Sequence, residues 1–510
     1  MPTLADLLDQ VPDARLLVGR SSVEVTSVAY HSGRVAPGAV FVAVPGLRED
    51  GLRYAADAVA RGAVAVVGRL PHPLDLPVAQ VDVPSPRAAL AALAAAFYGH
   101  PSRRLGLVGV TGTDGKTTTT HLIAALLERA GLRVGWLSTV DVRLGTTATP
   151  SPFGHTTPEA VEVQASLATM ADQGLEWAVL EVSSHALALD RVGGCAFDVA
   201  VFTNLSPEHL NFHGTLERYC EAKGALFAML DASPPKGRPR FGVVNADDEH
   251  AEHMRSRCRA PVLGFGFSET ADVRATVLEA GPRGTRFGVR TPRGAMELTT
   301  PLVGRFNVAN WLAAIAVGVG LDLSLDAIAE AVATTAPIEG RLQWIDEGQP
   351  FDVVVDFAHT PQALRHVLTT LRQLARGRLL LVFGMAGGRD AGNRPVAGRI
   401  AAELADFSVI TMDDPGDEDP EEIARQIAAG LRSEGRQAGE DFCIEIDRRR
   451  AIALAFERAR PGDVVLLAGK GHERRMVVGS RALPWSDAHV ARELLAALGF
   501  PATPRARPDR

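Results

Sequence analysis

The feature that most restricts the fold of this chain is a repeated unit: a short apolar run, a polar segment, then a stretch with helical periodicity. The apolar runs fall at 105–110, 178–182, 199–202 and 241–244, and the rhythm restarts beyond Pro337 at 353–355, 379–383, 408–411 and 464–467. Runs this short, with no polar alternation, suit strands buried on both faces, the pattern of parallel sheets covered by helices. The chain therefore reads as α/β with two separate parallel sheets.

A smaller region comes first. Residues 40–44 and 63–67 are β-like, 54–61 and 87–98 are Ala-rich and helical, and Gly99-His-Pro-Ser102 ends the last helix. After β-like alternation at 274–300 and a helix at 307–319, Pro337-Ile-Glu-Gly340 marks a second break. Three domains are expected, 1–98, 99–336 and 337–510: a small α/β domain, a central parallel-sheet domain of P-loop type and a C-terminal Rossmann-like domain. A length of 510 residues fits that number at roughly 100–200 residues per domain. The tail from Pro501 reads as disordered.

Charge and composition exclude several classes. A net charge of -7 gives no basic field for a polynucleotide. Cys195, Cys220, Cys258 and Cys443 form no CxxC pair, which points to free thiols in a reducing compartment. No run reaches the roughly 18 apolar residues of a membrane span, and the N-terminus lacks a leader pattern. A cytoplasmic protein is expected, with small-molecule partners; a monomer is the default. Of the 53 Lys plus Arg, only Lys116, Lys223, Lys236 and Lys470 are lysine. Where arginine serves as the general cation, the remaining lysines point to positions that need an ammonium or a neutral amine. Lys236, in Ser-Pro-Pro-Lys-Gly, reads instead as surface loop.

In open α/β sheets ligands bind beyond the carboxyl ends of the strands, and there the polar residues collect. The strongest motif follows the run 105–110: Thr111, Gly112, Thr113, Asp114, Gly115, Lys116, Thr117 and Thr118, then a helix to about Arg129. Small residues let backbone N–H groups cradle phosphates, Lys116 reaches the outer phosphates, and the Thr117 hydroxyl can ligate Mg²⁺. The first glycine of the full P-loop pattern would fall on Val110. Glu181 and His209 lie just past buried strands of the same sheet, where they could reach a nucleotide-bound metal. Lys223, on a helix over 217–230, reads by itself equally well as a solvated helix lysine.

The strings Gly112-Thr-Asp-Gly-Lys-Thr117, Glu181-Val-Ser-Ser-His-Ala-Leu187, Thr203 to Gly214, Glu221-Ala-Lys223, Asp356-Phe-Ala-His-Thr-Pro361 and Gly469-Lys-Gly-His-Glu473 together resemble the Mur ligases of bacterial cell-wall synthesis. The resemblance runs from Ser32 to about Asp487 and is nearest to the ligases that add the third residue of the peptide. It implies that ATP phosphorylates the γ-carboxylate of D-glutamate in UDP-N-acetylmuramoyl-L-Ala-D-Glu, and that an incoming amine attacks the acyl phosphate. It also implies Mg²⁺ held by Thr117, Glu181, His209 and Lys223, the last carbamylated by CO₂. Asn307, Arg341 and Asp356 match nucleotide contacts, and each would otherwise pass as a helix cap or ion-pair partner.

The same resemblance makes the first domain the UDP-sugar-binding domain, with Ser32 its best contact. It places Thr156, Thr157, Ser183 and Arg191 on the muramoyl peptide, although Thr156-Thr157-Pro158 also reads as a helix cap. Arg389, Asp413, Gly469 and Glu473 match contacts to the incoming amino acid. Ligases that add meso-diaminopimelate carry Asp-Asn-Pro-Arg where this chain has Asp413-Asp-Pro-Gly416 followed by acidic residues. Loss of that arginine favours L-lysine or L-ornithine, with diaminopimelate the alternative; the acids at 417–422 also read as a helix N-terminus. Asp114, Glu208 with Asn211, and His31-Ser-Gly33 depart from the family's usual residues. A folylpolyglutamate synthetase would share the last two domains but not the first, and a nucleotide-binding regulator would show no dependence on an amino acid.

Overall fold

The computed structural model describes residues 1–46, 49–281 and 284–500; the tail from Pro501, read above as disordered, lies outside the described residues. Among these residues, three sheets and one hairpin order the chain. The first sheet runs Arg15–Val18, Ala79–Asp82, Ala65–Gly68, Ala39–Val42, Ser27–Ala29, parallel except for the edge strand Arg15–Val18. Its core is Val and Ala from the strands against Leu90 and Leu93 of the helix Pro86–Phe97.

The second sheet has parallel strands at its centre in the order Val262–Gly266, Phe241–Asn245, Val199–Phe202, Gly106–Thr111, Trp177–Glu181, Val134–Leu137. At one end Val273–Gly281 adds in parallel to Val262–Gly266 and starts an antiparallel run to Thr300; at the other, Asp141–Arg143 and Ala148–Pro150 add antiparallel. Four of the parallel strands match the apolar runs to within a residue or two. Val134–Leu137 and Val262–Gly266 escape sequence reading because Gly135, Gly264 and Gly266 interrupt them, and glycine reads as a turn. At Gly135 a side chain is excluded outright, since a Cβ there would lie 2.7 Å from the Arg143 carbonyl of the adjoining hairpin.

Alternation along Gly106–Thr111 sends Val108 and Val110 to one face, under the helices Lys116–Arg129, Arg305–Gly320 and Leu325–Thr334. It sends Leu107 to the other, under Ala160–Asp172 and Leu216–Ala232. This strand pairs with Val199–Phe202 and with Trp177–Glu181, while its successor in the chain, Val134–Leu137, lies one strand further out. The order therefore reverses at Thr111, and the crevice of the sheet opens there.

The third sheet runs Gln343–Ile345, Asp352–Asp356, Val464–Ala468, Leu379–Phe383, Phe407–Ile410, Phe442–Ile444, parallel except for the first strand. Arg448, fully buried with Asp487, donates to the carbonyls of Met412 and Ala468 and so ties two strand exits together. No helix among the described residues is long and apolar enough to cross a membrane.

Lys236 corrects the sequence reading. It sits in a loop, but its ammonium is buried 2.6 Å from Asp198, with side-chain exposures of 3% and 2%. It also donates to the carbonyls of Ser102, Leu105 and Ala196, which gather at the amino ends of the central strands and have no strand partner there. Lys236→Met should therefore strand the Asp198 carboxylate. Urea denaturation is expected to show a loss of about 3–5 kcal/mol, with part recovered in Lys236→Met/Asp198→Asn.

Candidate active site

The loop after Gly106–Thr111 is shaped by close approach. Gly112 has φ +153°, and a Cβ on it would lie 1.9 Å from the Thr203 hydroxyl; Gly115 has φ +81°, and a Cβ there would meet Asn310 Oδ1 at 2.5 Å. The neighbouring strand exit then clamps the loop. The Thr203 hydroxyl donates to the Asp114 carbonyl at 2.6 Å, and Asp114 N–H donates to Asn204 Oδ1 at 2.9 Å. Lys116 folds back, its ammonium donating to the Gly112 and Thr113 carbonyls at 3.0 and 2.7 Å. Thr111, Thr113, Thr117 and Thr118 are buried around it.

Lys223 joins this loop from the helix Leu216–Ala232. Its side chain is buried, not solvated, and Nζ donates to the Gly112 carbonyl at 2.6 Å while lying 4.3 Å over the Tyr219 ring. Burial, and then the Lys116 charge, push its amine well below the usual lysine range. The Tyr219 hydroxyl is 3.2 Å from Thr113 Oγ1, so one buried ring seats both the lysine and the loop. Neither Tyr219 nor Asn310 stands out in sequence. Asn310 carries a faint signal, three residues past Asn307 on one helix face.

Glu181 is the last residue of its strand and is buried. Both its carboxylate oxygens are engaged by Thr139, from N–H at 2.8 Å and from the hydroxyl at 3.1 Å. Thr157, Ser183 and Arg191 do converge on the same exit. The Thr157 hydroxyl donates to the Glu181 carbonyl, Ser183 N–H donates to Thr157 Oγ1, and Arg191 donates to the Thr157 carbonyl at 3.0 Å and pairs with Glu159 at 2.8 Å. Helix capping by Thr156-Thr157-Pro158 is not what is seen: Ala160–Asp172 starts after Glu159 with no side-chain cap.

His209 opens a short helix at φ +56°. Burial pushes its imidazole down to about 3, with Arg389 and Lys116 adding to that against Glu208; a neutral ring is the form that offers a lone pair. Arg389 reaches it across the cleft, Nη1 to Nδ1 at 3.5 Å. His359 lies 3.7 Å from Glu208. Although burial raises Glu208, the His359 hydrogen bond and the charges of His209 and His359 hold it well below the usual carboxylate range.

The C-terminal sheet closes the crevice. Arg341 donates to Thr117 Oγ1 at 3.0 Å, with its guanidinium 4.6 Å over Phe357. Asp356 accepts from Leu342 N–H at 2.7 Å and Ala358 N–H at 2.8 Å, holding Leu342 at φ +43°. Between the sheets lies a cavity of about 710 Å³ bordered by Asp114, Thr118, Asn307, Asn310, Arg341 and Asp356. A mixed pocket of that size takes a nucleotide. Asp114 faces it; burial, and then Glu208, raise its carboxyl.

Further along the same sheet, Asp413, Asp414 and Glu473 form the one group of His, Cys, Asp or Glu among the described residues close enough to hold a metal ion. Lys470 already occupies it, its ammonium 3.6 Å from Asp413 and 2.8 Å from Asp414 and bonded to Glu473. Gly469, at φ +108°, approaches Asp413 so closely that a Cβ would lie 2.5 Å from Oδ2. Asp413 and Glu473, from two separate motifs, thus sit together. Ser32 is buried with its hydroxyl bonded to Asp57 inside its own domain, away from the loop contacts above. Asp419 caps the helix Pro420–Ser433 with Glu421 and Glu422 in its first turn, so those acids serve a helix start.

Comparison with known proteins matches these units one by one. The model of the Mur ligase middle domain fits residues 110–318, that of the Mur ligase glutamate ligase domain 340–471, and that of the Mur ligase family catalytic domain 24–98. A "UDP-N-acetylmuramoyl-L-alanyl-D-glutamate--2,6-diaminopimelate ligase" of Geobacillus thermodenitrificans (strain NG80-2) is 43% identical over 490 residues, 96% of this chain and 98% of that protein. A "UDP-N-acetylmuramyl-tripeptide synthetase" of Roseiflexus sp. (strain RS-1) is 45% identical over 494 residues, 94% of this chain and 96% of that protein. A solved structure of a UDP-N-acetylmuramoyl-L-alanyl-D-glutamate--2,6-diaminopimelate ligase is similar with a TM-score of 0.67 and 30% identity, covering 98% of this chain and 99% of that one.

The Asp356 contacts give a direct check on the site's framework. Asp356→Ala leaves two buried N–H groups without an acceptor beside Arg341. Denaturation should show a loss of roughly 2–4 kcal/mol, one to three for each orphaned donor less what water recovers.

Proposed function

Because the chain belongs to the Mur ligase family and is an ATP-dependent ligase joining an acid to an amino acid, we propose that its acid is the D-glutamate of UDP-N-acetylmuramoyl-L-Ala-D-Glu and its amino acid a diamino acid. The reaction would extend a peptidoglycan precursor in the cytoplasm. The observation that carries this reading is the convergence of Lys116 and Lys223 on one carbonyl beside Thr117, with Arg341 and Arg389 reaching the same crevice from the other sheet.

In this reading the γ-phosphoryl group of ATP passes to a γ-carboxylate oxygen of D-glutamate and ADP leaves. The amine of the diamino acid then attacks the acyl carbon; phosphate leaves, and the nitrogen loses a proton. Such transfer needs positioning and charge stabilisation more than a covalent nucleophile. Lys116 and the N–H groups of the loop hold the phosphates, Asn307 and Arg341 hold the nucleotide with Asp356 bracing Arg341, and Arg389 takes the amino acid's carboxylate with Gly469 and Glu473 beside it. Ser32, Thr156, Thr157, Ser183 and Arg191 hold the UDP-sugar peptide, with residues 1–98 as its domain, 99–336 as the ATPase domain and 337–510 as the amino-acid domain. Mg²⁺ would neutralise phosphate charge in such a site, and a hydroxyl, a carboxylate and a neutral imidazole at Thr117, Glu181 and His209 suit it.

Lys223 would complete that set as a carbamate: the neutral amine adds to CO₂, one proton is released, and a neutral group becomes an anion. Its buried, depressed amine supports this. Lys223→Arg, which cannot form the carbamate, should lower kcat about a hundredfold or more, and ¹³C-bicarbonate should give a carbamate NMR signal in the parent chain only. Absence of the signal from an active enzyme would sink the carbamate.

The relatives' names favour 2,6-diaminopimelate over the lysine or ornithine expected from sequence. One observation keeps the second reading in play: Gly416, at φ +57°, offers no cation for a distal carboxylate, and Asp413, Asp414 and Glu473 stand nearby. UDP-N-acetylmuramoyl dipeptide, ATP and Mg²⁺ supplied with diaminopimelate, lysine or ornithine in separate reactions decide it. ADP and a product of added mass are expected with diaminopimelate. Turnover with lysine or ornithine alone would reverse the amino-acid assignment, and no amino-acid-dependent ADP in any reaction would overturn the tripeptide ligase.

A further inference from the structure

His121 and Asp141 have no part in the motifs above, yet they join two pieces of the site. His121 lies one turn into the helix Lys116–Arg129. Its Nδ1 is 2.8 Å from the Thr117 carbonyl and its Nε2 is 2.8 Å from Asp141 Oδ1. Both partners are acceptors, so each ring nitrogen donates. The same Asp141 oxygen accepts from Trp136 Nε1 at 2.8 Å and from the Ser138 hydroxyl at 3.1 Å.

Asp141 also closes the turn that follows Val134–Leu137. Ser138 N–H donates to the Asp141 carbonyl at 3.1 Å, and Asp141 N–H donates to Ser138 Oγ at 3.1 Å. Thr139 stands at the tip of that turn, and it is Thr139 that engages both oxygens of Glu181. A continuous chain of short contacts therefore runs from the first turn of the phosphate helix, through His121, Asp141 and the Ser138 turn, to the Glu181 carboxylate.

We propose that His121 and Asp141 are positioning residues for the metal site: the pair sets the orientation of Glu181 through Thr139 and registers it against the helix turn that carries Lys116 and Thr117. The inference rests on the reading that Glu181 is a metal ligand. A carboxylate pinned at both oxygens presents its remaining lone pairs in one direction, and partners that fix a ligand in this way are worth about 10–100-fold in metal affinity or activity. The link spans two elements, since Glu181 is the last residue of its strand and Thr117 lies in the first turn of a helix.

The test uses the full chain with His121→Gln, Asp141→Asn, the double variant, and Glu181→Gln as the direct ligand change. Mn²⁺ binding in the presence of ADP, followed by the loss of the free-ion EPR signal, gives a readout independent of turnover. Mg²⁺ half-saturation and the KM for the diamino acid are measured alongside, with thermal melting as the control for folding. Each single variant is expected to weaken Mn²⁺ binding and raise Mg²⁺ half-saturation about tenfold or more while the amino-acid KM stays within about twofold. The double variant should be little worse than either single one, because the two residues act as one link.

Folded variants with parental Mn²⁺ binding would overturn the inference. So would a rise in every KM together with a lowered melting temperature, which marks a purely structural pair. If Glu181→Gln leaves Mn²⁺ binding unchanged, the metal reading itself fails; if Glu181→Gln weakens it and the pair's variants do not, only the positioning role fails. Asp141 closes a turn as well as pairing, so His121→Gln decides should Asp141→Asn not fold. His121 borders a cleft of about 410 Å³ that leaves room for the glutamine.

Discussion

Lys116 and Lys223 bring their side-chain nitrogens to one backbone oxygen, the Gly112 carbonyl, and most of the site follows from that. Like charges brought together in a buried place repel strongly unless anions are supplied. Asp114 and Glu208 supply part of that charge, both acting on Lys223. Burial and the Lys116 charge still outweigh them and keep the Lys223 amine depressed. Gly112 can carry no side chain there, since a Cβ would lie 1.9 Å from the Thr203 hydroxyl. A strand, a glycine and a neighbouring strand exit thus create the electrostatic condition that the chemistry uses.

The second sheet adds to the same condition from across the crevice. Arg341 brings a further cation to Thr117, and Arg389 brings one to His209, while His359 approaches Glu208. Each of these contacts joins a strand exit of the central domain to one of the C-terminal domain. Their cost falls on the backbone: Leu342 and His209 both hold positive φ, and Asp356 offsets the first by accepting two backbone hydrogen bonds. Strain of this kind persists where surrounding contacts over-determine it.

Much of the fold was legible because buried parallel strands leave uninterrupted apolar runs. Val199–Phe202 and Leu379–Phe383 coincide with their runs, and the loop before Lys116 lies between strand and helix where its motif put it. The strands that escaped carry glycine or sit at edges. Among the candidate residues, Lys116, Thr117 and Glu181 were singled out from their places at strand exits and Lys223 from a family resemblance, and the structure brings Lys116, Lys223 and Thr117 to one loop. Tyr219 and Asn310 were not, since an aromatic or an amide on a helix has no local signature of what it faces. Lys236 was misread because a Pro-Gly loop looks solvent-exposed in sequence, while the chain folds it over three carbonyls and a buried carboxylate.

By itself the sequence determined the α/β class, the glycine loop between strand and helix and the set of polar strand exits, because hydrophobic period and glycine placement are local properties of the chain. Only the tertiary structure decided which exits meet. Lys223 over Gly112, Arg341 on Thr117 and the line from His121 to Glu181 join residues from separate elements, the first two across 111 and 224 positions. Sheet order decides such meetings: the reversal at Thr111 brings the exits of Trp177–Glu181 and Val199–Phe202 to either side of one loop, and no short-range pattern encodes which strand pairs with which.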